Sequence, residues 1–430
     1  MAIIGLIICL FLLVISYILW KDFTAPTFIL SLEWTLMYFL LVISFRVNEI
    51  NNIFYLCFSF GLMFFIIGFL LSYRKRKNKS VKKEPLKEYI MFNRRTFIVL
   101  FTVQFVIVLL IVLKLRTSLK GFYVDNLWYS VRNASKYGTY ESGSIIERLQ
   151  LFVVAFPLVN FAIYVLNPQK RNRNCFILTF LTSLPVIFTM NRGGMIMVFL
   201  AMIFIFLNIK NYSNAKIAKW GIIVFVTIII IFSITSIWKF FNIPSLQNDP
   251  VLILKYSFQN YFITSMINFV EWAENNDGLL YGKNTFRFIL AIANFLGFNV
   301  DVPGTVQEFK IINIGSYDLI SNVYTMLHYY ARDFGIWYAL LIEFFLGFVY
   351  GFLYKKSNFG GKTNLFYTII LSLMMFPLFS QFFDDTYFSR FSTWLQYFLW
   401  IWFFTRRKIC IVADKVTEQN ITSCRKLKLN

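Results

Sequence analysis

Long apolar runs, separated by short polar connections, recur along almost the whole chain. Runs of about 18 or more residues with few charges are long enough to cross the hydrocarbon core of a bilayer. Backbone groups in lipid must be paired within the protein, and these runs lack the alternation of barrel strands. The pattern therefore predicts an all-α polytopic membrane protein.

The apolar runs predict about eleven transmembrane helices, within a range of ten to twelve. The first run has neither a basic segment before it nor a small-residue cleavage site, so it is interpreted as a span and not as a signal peptide. The predicted spans lie near residues 3–20, 27–45, 53–72, 96–113, 149–166, 175–190, 194–209, 220–238, 336–354, 364–380 and 388–405.

The charges on the polar connections predict the orientation. The connection 73–95 carries a dense cluster of lysine and arginine, which is typical of the cytoplasmic side. Alternation from there places the N-terminus outside and the basic tail 406–430 inside. Nearly the whole net charge of +21 then lies on the cytoplasmic side. Topology and lipid contact account for this charge, so no nucleic-acid partner is expected.

The spans frame two outer loops in this prediction. Residues 1–238 hold eight spans and the outer loop 114–148, whose aromatic side chains suit either sugar faces or an interfacial belt. Residues 239–335 form one large extracytoplasmic loop with short or interfacial helices, among them a helix over 251–272 that lies either on the membrane or as a lid over the bundle. Residues 336–405 hold the last three spans, which lead into the cytoplasmic tail.

The end of the large loop holds the most concentrated set of polar groups. Helical spacing places Thr325, His328 and Arg332 on one face of a predicted helix. His328 is the single histidine of the chain, and a lone histidine is more often structural than catalytic. With one histidine, no outer cysteine and no paired acidic motif of the Asp-x-Asp kind, a metal site is not expected.

Other charged groups lie where predicted spans meet the outer side. Arg192, beside two glycines at a tight turn, is either an anchor or a guanidinium that binds phosphate oxygens. Arg287 is either a solvated charge or a second anion ligand. Asp384 and Arg390 lie at the outer ends of the last two spans. In the span before them, Gly347 and Gly351 predict close helix packing that buries Glu343.

Several short motifs together resemble the oligosaccharide repeat-unit polymerases, the Wzy-type O-antigen and capsule polymerases of bacteria. The turn Asn191-Arg192-Gly193-Gly194 is similar to that family's Ser-Arg-Gly-type turn. The run from Asn322 through Tyr324, Thr325, Tyr330 and Asp333 to Gly335, followed by Gly347-x-x-x-Gly351, is similar to the segment after the family's large outer loop.

The resemblance implies a glycosyltransferase of the bacterial inner membrane. Such enzymes transfer a growing glycan from undecaprenyl pyrophosphate to the non-reducing end of a new lipid-linked repeat unit, at the outer face and without a metal or another cofactor. The product is O-antigen lipopolysaccharide or capsule. Expected partners are the lipid-linked oligosaccharide, membrane lipids, and a chain-length regulator and flippase of the same pathway.

This chemistry requires cations for the departing pyrophosphate and a base or a positioning group for the acceptor hydroxyl. We assign catalysis to His328, Arg332 and Asp333. Expected contacts to pyrophosphate or sugar come from seven further residues: Arg192, Arg287, Glu308, Asp318, Tyr324, Asp384 and Arg390. The alternatives are a flippase or exporter of lipid-linked oligosaccharide, an O-antigen ligase-like transferase, or a non-catalytic partner in envelope assembly.

Overall fold

The computed structural model is mostly helical. It describes residues 1–44, 50–73, 89–119, 145–189, 192–210, 212–240, 249–275, 278–303, 309–313, 318–358, 364–406 and 410–413. Its helices are α1 (Ala2–Trp20), α2 (Pro26–Ser44), α3 (Leu56–Tyr73), α4 (Arg94–Leu119), α5 (Ile145–Leu166), α6 (Lys170–Thr189), α7 (Arg192–Lys210), α8 (Asn214–Phe240), α9 (Pro250–Phe258), α10 (Thr264–Asn275), α11 (Arg287–Phe295), α12 (Met326–Phe334), α13 (Ile336–Asn358), α14 (Leu365–Phe379) and α15 (Phe391–Thr405).

Within the described part of the chain, seven helices are long and apolar enough to cross a membrane. They are Ala2–Trp20, Pro26–Ser44, Ile53–Tyr73, Arg94–Lys114, Arg148–Leu166, Gly193–Lys210 and Ile336–Ser357. The other four expected spans coincide with helices α6, α8, α14 and α15. Helices α14 and α15 have 15 residues each, about 22 Å at 1.5 Å per residue. That length is less than the hydrocarbon thickness, so the count of eleven spans stays a prediction. The seven long apolar helices support a polytopic membrane protein.

The chain divides into two compact units. The first contains residues 1–76, 212–354 and 377–391, and the second contains residues 77–211, 355–376 and 392–430. In the second unit, strand β1 (Tyr89–Phe92) pairs antiparallel with strand β4 (Cys410–Ala413). The ring of Phe156 packs against those of Phe92 and Phe404, which gives this unit an aromatic core.

In the first unit, glycines bring α3 and α13 into close contact. A Cβ atom added to Gly347 would lie 2.0 Å from the carbonyl oxygen of Phe65, and one added to Gly351 would lie 2.5 Å from that of Phe69. The predicted close packing at these two glycines is confirmed. Glu343, on the same helix, is buried, as the sequence also predicts.

The ends of the spans in the first unit are aligned by polar contacts. The N-terminal amine of Met1 donates to Oδ1 of Asn51 at 3.0 Å, and the side-chain amide of Asn52 donates to Glu274 at the end of α10. At the opposite ends, the hydroxyl of Tyr354 donates to Asp22. Helices α1, α3 and α13 therefore run in parallel.

Within the expected outer loop 239–335, most of the described residues form short helices and a hairpin. Asp249 caps α9 by accepting a hydrogen bond from the backbone N–H of Val251 at 2.8 Å, with Pro250 at the first helical position. A π-helical turn, Gln259–Ile263, connects α9 to α10, so the predicted helix over 251–272 is present. The ring of Phe269 packs 5.0 Å from that of Phe58 on α3, so this helix is packed into the bundle.

A hairpin and a short helix complete the region. Strand β2 (Lys310–Asn313) pairs antiparallel with strand β3 (Asp318–Ser321), and the register joins Lys310 to Ser321. Buried Leu319 packs with Ile253 of α9. The hairpin therefore lies against α9, and β3 is followed closely by α12.

Candidate functional site

The nine-residue helix α12 organises the polar groups of the first unit. Thr325 is its N-cap, with a side-chain oxygen that accepts from the backbone N–H of His328 at 3.3 Å. The helix ends at Gly335, whose φ of +89° is readily adopted by glycine, and the spanning helix α13 begins at the next residue. The two faces of α12 consequently present different sets of side chains just before a span begins.

Asp333 attaches a preceding loop to α12. Its buried carboxylate accepts from the backbone N–H groups of Asn284 (3.1 Å) and Thr285 (2.7 Å) and from the Thr285 hydroxyl (2.7 Å). The side-chain amide of Asn284 also donates to the carbonyl of Tyr329 at 3.0 Å. With both oxygens engaged, Asp333 is suited to fix the loop, and this loop sets the position of Arg287 at the start of α11.

Two consecutive tyrosines of α12 bind two consecutive aspartates. The Tyr329 hydroxyl donates to Oδ1 of Asp384 at 3.1 Å, and the Tyr330 hydroxyl donates to Oδ1 of Asp385 at 2.7 Å. The Asp385 carboxylate also accepts from three backbone N–H groups, those of Tyr387, Phe388 and Ser389. Asp385 is therefore a buried structural acceptor that holds its own turn.

Asp384 differs from its neighbour because it is only partly buried. Its pKa is raised to about 6, chiefly by burial; the Arg390 charge and the Tyr329 hydrogen bond lower the pKa, and the Asp385 charge raises it. A carboxyl group that exchanges its proton close to neutral pH can serve as a general base. Asp384 is therefore the carboxylate of this cluster best suited to accept a proton.

Arg287 supplies positive charge to the same cluster. Burial lowers its pKa, and the charges of Asp385 and Asp384 oppose that shift. Within the described part of the chain, neither Arg287 nor Arg390 forms a direct ion pair with a carboxylate. A guanidinium that acidic neighbours stabilise without direct pairing retains donors for an external anion.

His328 and Arg332 lie together on the opposite side of α12, as the sequence predicts. The His328 ring is buried among aromatic rings, with centroid distances of 4.6 Å to Tyr324 and 5.6 Å to Trp272. Neither ring nitrogen has a hydrogen-bond partner among the described residues. Burial, followed by the charges of Arg332 and Lys310, holds the pKa of His328 well below its usual value, so the ring is neutral.

The structure brings together only part of the predicted site. Arg287, Asp384 and Arg390 converge with Tyr329, and His328 lies with Tyr324 and Arg332. Asp318 is the first residue of β3, but its side chain is outside the described part, and Glu308 is outside it entirely. Arg192 begins α7 in the second unit, and its side chain is likewise not described.

Sequence reasoning did not identify Asn284, Thr285 or Tyr329 as parts of the site. Their partners lie 45 to 55 residues away in the chain, and no local motif marks them. The adjacent tyrosines of α12 and the adjacent aspartates 384–385 are the one sequence signal that suggests such a pairing. Among the described residues, no three His, Cys, Asp or Glu side chains are grouped as metal ligands.

These features define a multi-pass helical membrane protein with a buried polar cluster beside the start of a span. Comparison with known proteins adds one relationship. Over 250 residues the chain is 24% identical to an O-antigen polymerase of Shigella dysenteriae, and the match covers 57% of this chain and 60% of that protein. No family model matches the chain. No solved structure matches it either.

Proposed function

We propose that this protein polymerises undecaprenyl-pyrophosphate-linked oligosaccharide repeat units at the outer face of the bacterial inner membrane. The similarity to an O-antigen polymerase over more than half of the chain carries the proposal. Multi-pass helical architecture supports it, because both substrates are membrane lipids. The proposed topology has eleven spans with the N-terminus outside, so that the start of α13 and the adjacent polar cluster face the exported glycan.

In the proposed reaction, an acceptor hydroxyl attacks the anomeric carbon of the growing chain. The bond from that carbon to the pyrophosphate oxygen breaks, a glycosidic bond forms, and polyprenyl pyrophosphate leaves. Asp384 takes the proton of the hydroxyl, since its carboxylate exchanges a proton near neutral pH. Arg287 and Arg390 stabilise the charge on the leaving pyrophosphate, with no divalent metal in this role.

The other predicted residues take supporting parts. Neutral His328, next to Tyr324 and Arg332, is proposed to bind a sugar hydroxyl or the lipid phosphate when substrate opens the site, since neither ring nitrogen has a partner among the described residues. Asp333 acts as a positioning residue through Thr285. The suggested roles of Arg192, Glu308 and Asp318 rest on the sequence alone, and substitution of each by alanine tests them.

The test is a strain without the gene, complemented with variants and analysed for lipid-linked glycans. Loss of a polymerase leaves single repeat units on the outer leaflet, and Arg287→Ala is expected to reproduce that loss. Lys283→Ala is the matched control, because Lys283 is a nearby cation whose visible partner is Asp301, at 2.7 Å. Units trapped on the inner leaflet would indicate a flippase instead, and long polymer left on its carrier would indicate a ligase.

A further inference from the structure

Helix α11 exposes an apolar face that the bundle does not cover. Ile289, Ile292 and Leu296 lie on one side of the helix at spacings of three and four residues, and all three are exposed. Arg287 and Asn294, seven residues apart, lie on the other side. The segment 288–300 contains no charged residue, although much of it faces outward. This pattern is typical of a helix that lies in a membrane surface.

The apolar face continues into an exposed apolar stripe of α13, a helix long and apolar enough to cross a membrane. Trp337, Leu341, Phe345 and Phe348 recur at helical spacing along α13 and are all exposed, Trp337 by 77%. At the start of this stripe, the ring of Phe334 packs 4.8 Å from that of Tyr338 and 6.4 Å from that of Phe286, just before α11. The apolar surface therefore extends from α13 onto α11 through adjoining aromatic rings.

The depth of α11 relative to the membrane follows from Asp333. This residue lies three positions before Ile336, where the span begins, and its carboxylate holds the backbone of Asn284 and Thr285. Helix α11 begins two residues after Thr285. Its first turn is consequently held at the level where the span meets the bilayer surface, where hydrocarbon gives way to headgroups.

We propose that α11 is an interfacial membrane helix. Ile289, Ile292 and Leu296 contact the acyl chains of one leaflet, while Asn294 faces the headgroups and water and Arg287 lies beside the aspartates of the polar cluster. The face adjoins the lipid-facing stripe of α13, which favours bilayer lipid over a second copy of this chain. Lipid contact would fix Arg287 at headgroup depth beside Asp384. This inference requires only that the protein spans a membrane, and it does not depend on the reaction that the protein catalyses.

The test is a nitroxide scan of the full-length chain in lipid nanodiscs. Single cysteines replace Ile289, Ala291, Ile292, Asn294 and Leu296 in a background without native cysteines. We expect the ratio of oxygen to water-soluble nickel collisions to be several-fold higher at 289, 292 and 296 than at 291 and 294. Labels at Trp337 and Lys283 give the lipid and water references.

Two results would overturn the proposal. One is high nickel accessibility at all five positions, which would place α11 in water. The other is dipolar broadening at 289, 292 and 296 that disappears on dilution with unlabelled protein, which would indicate a second copy of the chain.

A matched pair of lysine variants tests the proposal without the full scan. With a label at 296, Ile292→Lys is expected to move that label into water, whereas Asn294→Lys should leave it in lipid. Equal behaviour of the two variants would also contradict the proposal. Monodisperse elution in the same nanodiscs shows that each variant is folded.

Discussion

The hydroxyl of Tyr329 donates a hydrogen bond to Oδ1 of Asp384 at 3.1 Å, and this contact joins α12 to the turn before α15. The neighbouring pair, Tyr330 and Asp385, repeats the contact at 2.7 Å. Asp385 has three further backbone donors, whereas the Asp384 carboxylate has the Tyr329 hydroxyl and one backbone group, that of Asp385, among the described residues. The Tyr329 hydroxyl therefore contributes a larger share of the hydrogen bonding to Asp384 than the Tyr330 hydroxyl contributes to Asp385.

This difference predicts a shift in pH dependence. Activity that requires ionised Asp384 rises with pH through its pKa of about 6. Tyr329→Phe removes a bond that stabilises the ionised form, so the midpoint of the rise should move upward by up to about one pH unit. The rate of glycan chain elongation in nanodiscs, followed from pH 5 to pH 8, measures the midpoint.

Tyr330→Phe is the matched control for this experiment. Asp385 keeps its three backbone donors in that variant, so the midpoint should not move. Asp384→Asn should abolish the rise together with most of the activity, and Asp384→Glu should restore part of both. Equal midpoints in Tyr329→Phe and the unmodified protein would remove Asp384 from the proposed role of base.

Local and non-local features differ in how far the sequence predicts them. Apolar run length predicts the spans, and the spacing of Gly347 and Gly351 predicts their close packing, because both depend on regularities within one helix. The sequence places Thr325 on one face of the helix with His328 and Arg332, whereas the structure makes it the N-cap before the first helical residue. The attachment of Asp333 to Thr285 spans 48 residues of chain, and no periodicity encodes such a contact.

The predicted roles of His328 and Asp333 also depend on non-local contacts that the sequence does not reveal. Residue type and position favour both as catalytic groups. Only the folded environment shows that aromatic rings surround His328 and that Asp333 accepts three hydrogen bonds within its own unit. Burial and non-local partners decide whether an ionisable side chain is available for chemistry, and a sequence pattern does not contain them.

The neutral state of His328 predicts acid sensitivity of the fold. Because its pKa in the folded protein is below that of the unfolded chain, near 6.5, protons bind preferentially to the unfolded state. Stability that is complete above pH 6.5 should fall by about 1.4 kcal/mol per pH unit below it. His328→Phe, which preserves an aromatic ring, removes this contribution.

Thermal unfolding in nanodiscs at pH 7.5, 6.5 and 5.5 measures the effect. The difference in Tm between the unmodified protein and His328→Phe should change in favour of the variant as the pH falls. Titration of Asp384 occurs in both proteins and cancels in the comparison. A difference that is independent of pH would show that the pKa of His328 is the same in the folded and unfolded states.

The three hydrogen bonds to Asp333 predict that the stability of the loop at 284–285 depends strongly on this carboxylate. Asp333→Ala leaves three donors without their acceptor, and should lower the free energy of unfolding by about 2–5 kcal/mol. Thr285→Val removes only the hydroxyl donor and should cost about 1–2 kcal/mol. Chemical unfolding of both single variants and of the double variant measures these values.

The double variant separates the contact from unrelated effects. Thr285→Val should cost much less in the Asp333→Ala background than in the unmodified protein, because the shared hydrogen bond is already lost. Additive costs would mean that the 2.7 Å contact contributes no coupling energy. Asp333→Asn retains one acceptor oxygen, and its loss of unfolding free energy is expected to lie between those of the unmodified protein and Asp333→Ala.

Substitution by alanine should have opposite effects on stability at Gly347, in the contact between α3 and α13, and at Gly221, in α8. Gly347→Ala places a methyl group 2.0 Å from the Phe65 carbonyl oxygen, and backbone cannot move aside as a side-chain end can. The helices must separate, at a cost of about 1–3 kcal/mol or more.

At Gly221 in α8, an added Cβ has no described atom within 4 Å. Gly221→Ala should instead stabilise the helix by about 0.5–1 kcal/mol, because alanine has the higher helix propensity. Unfolding of the purified full-length variants in the same nanodiscs measures both signs, and a neutral Gly347→Ala would mean that α3 and α13 do not pack at this distance.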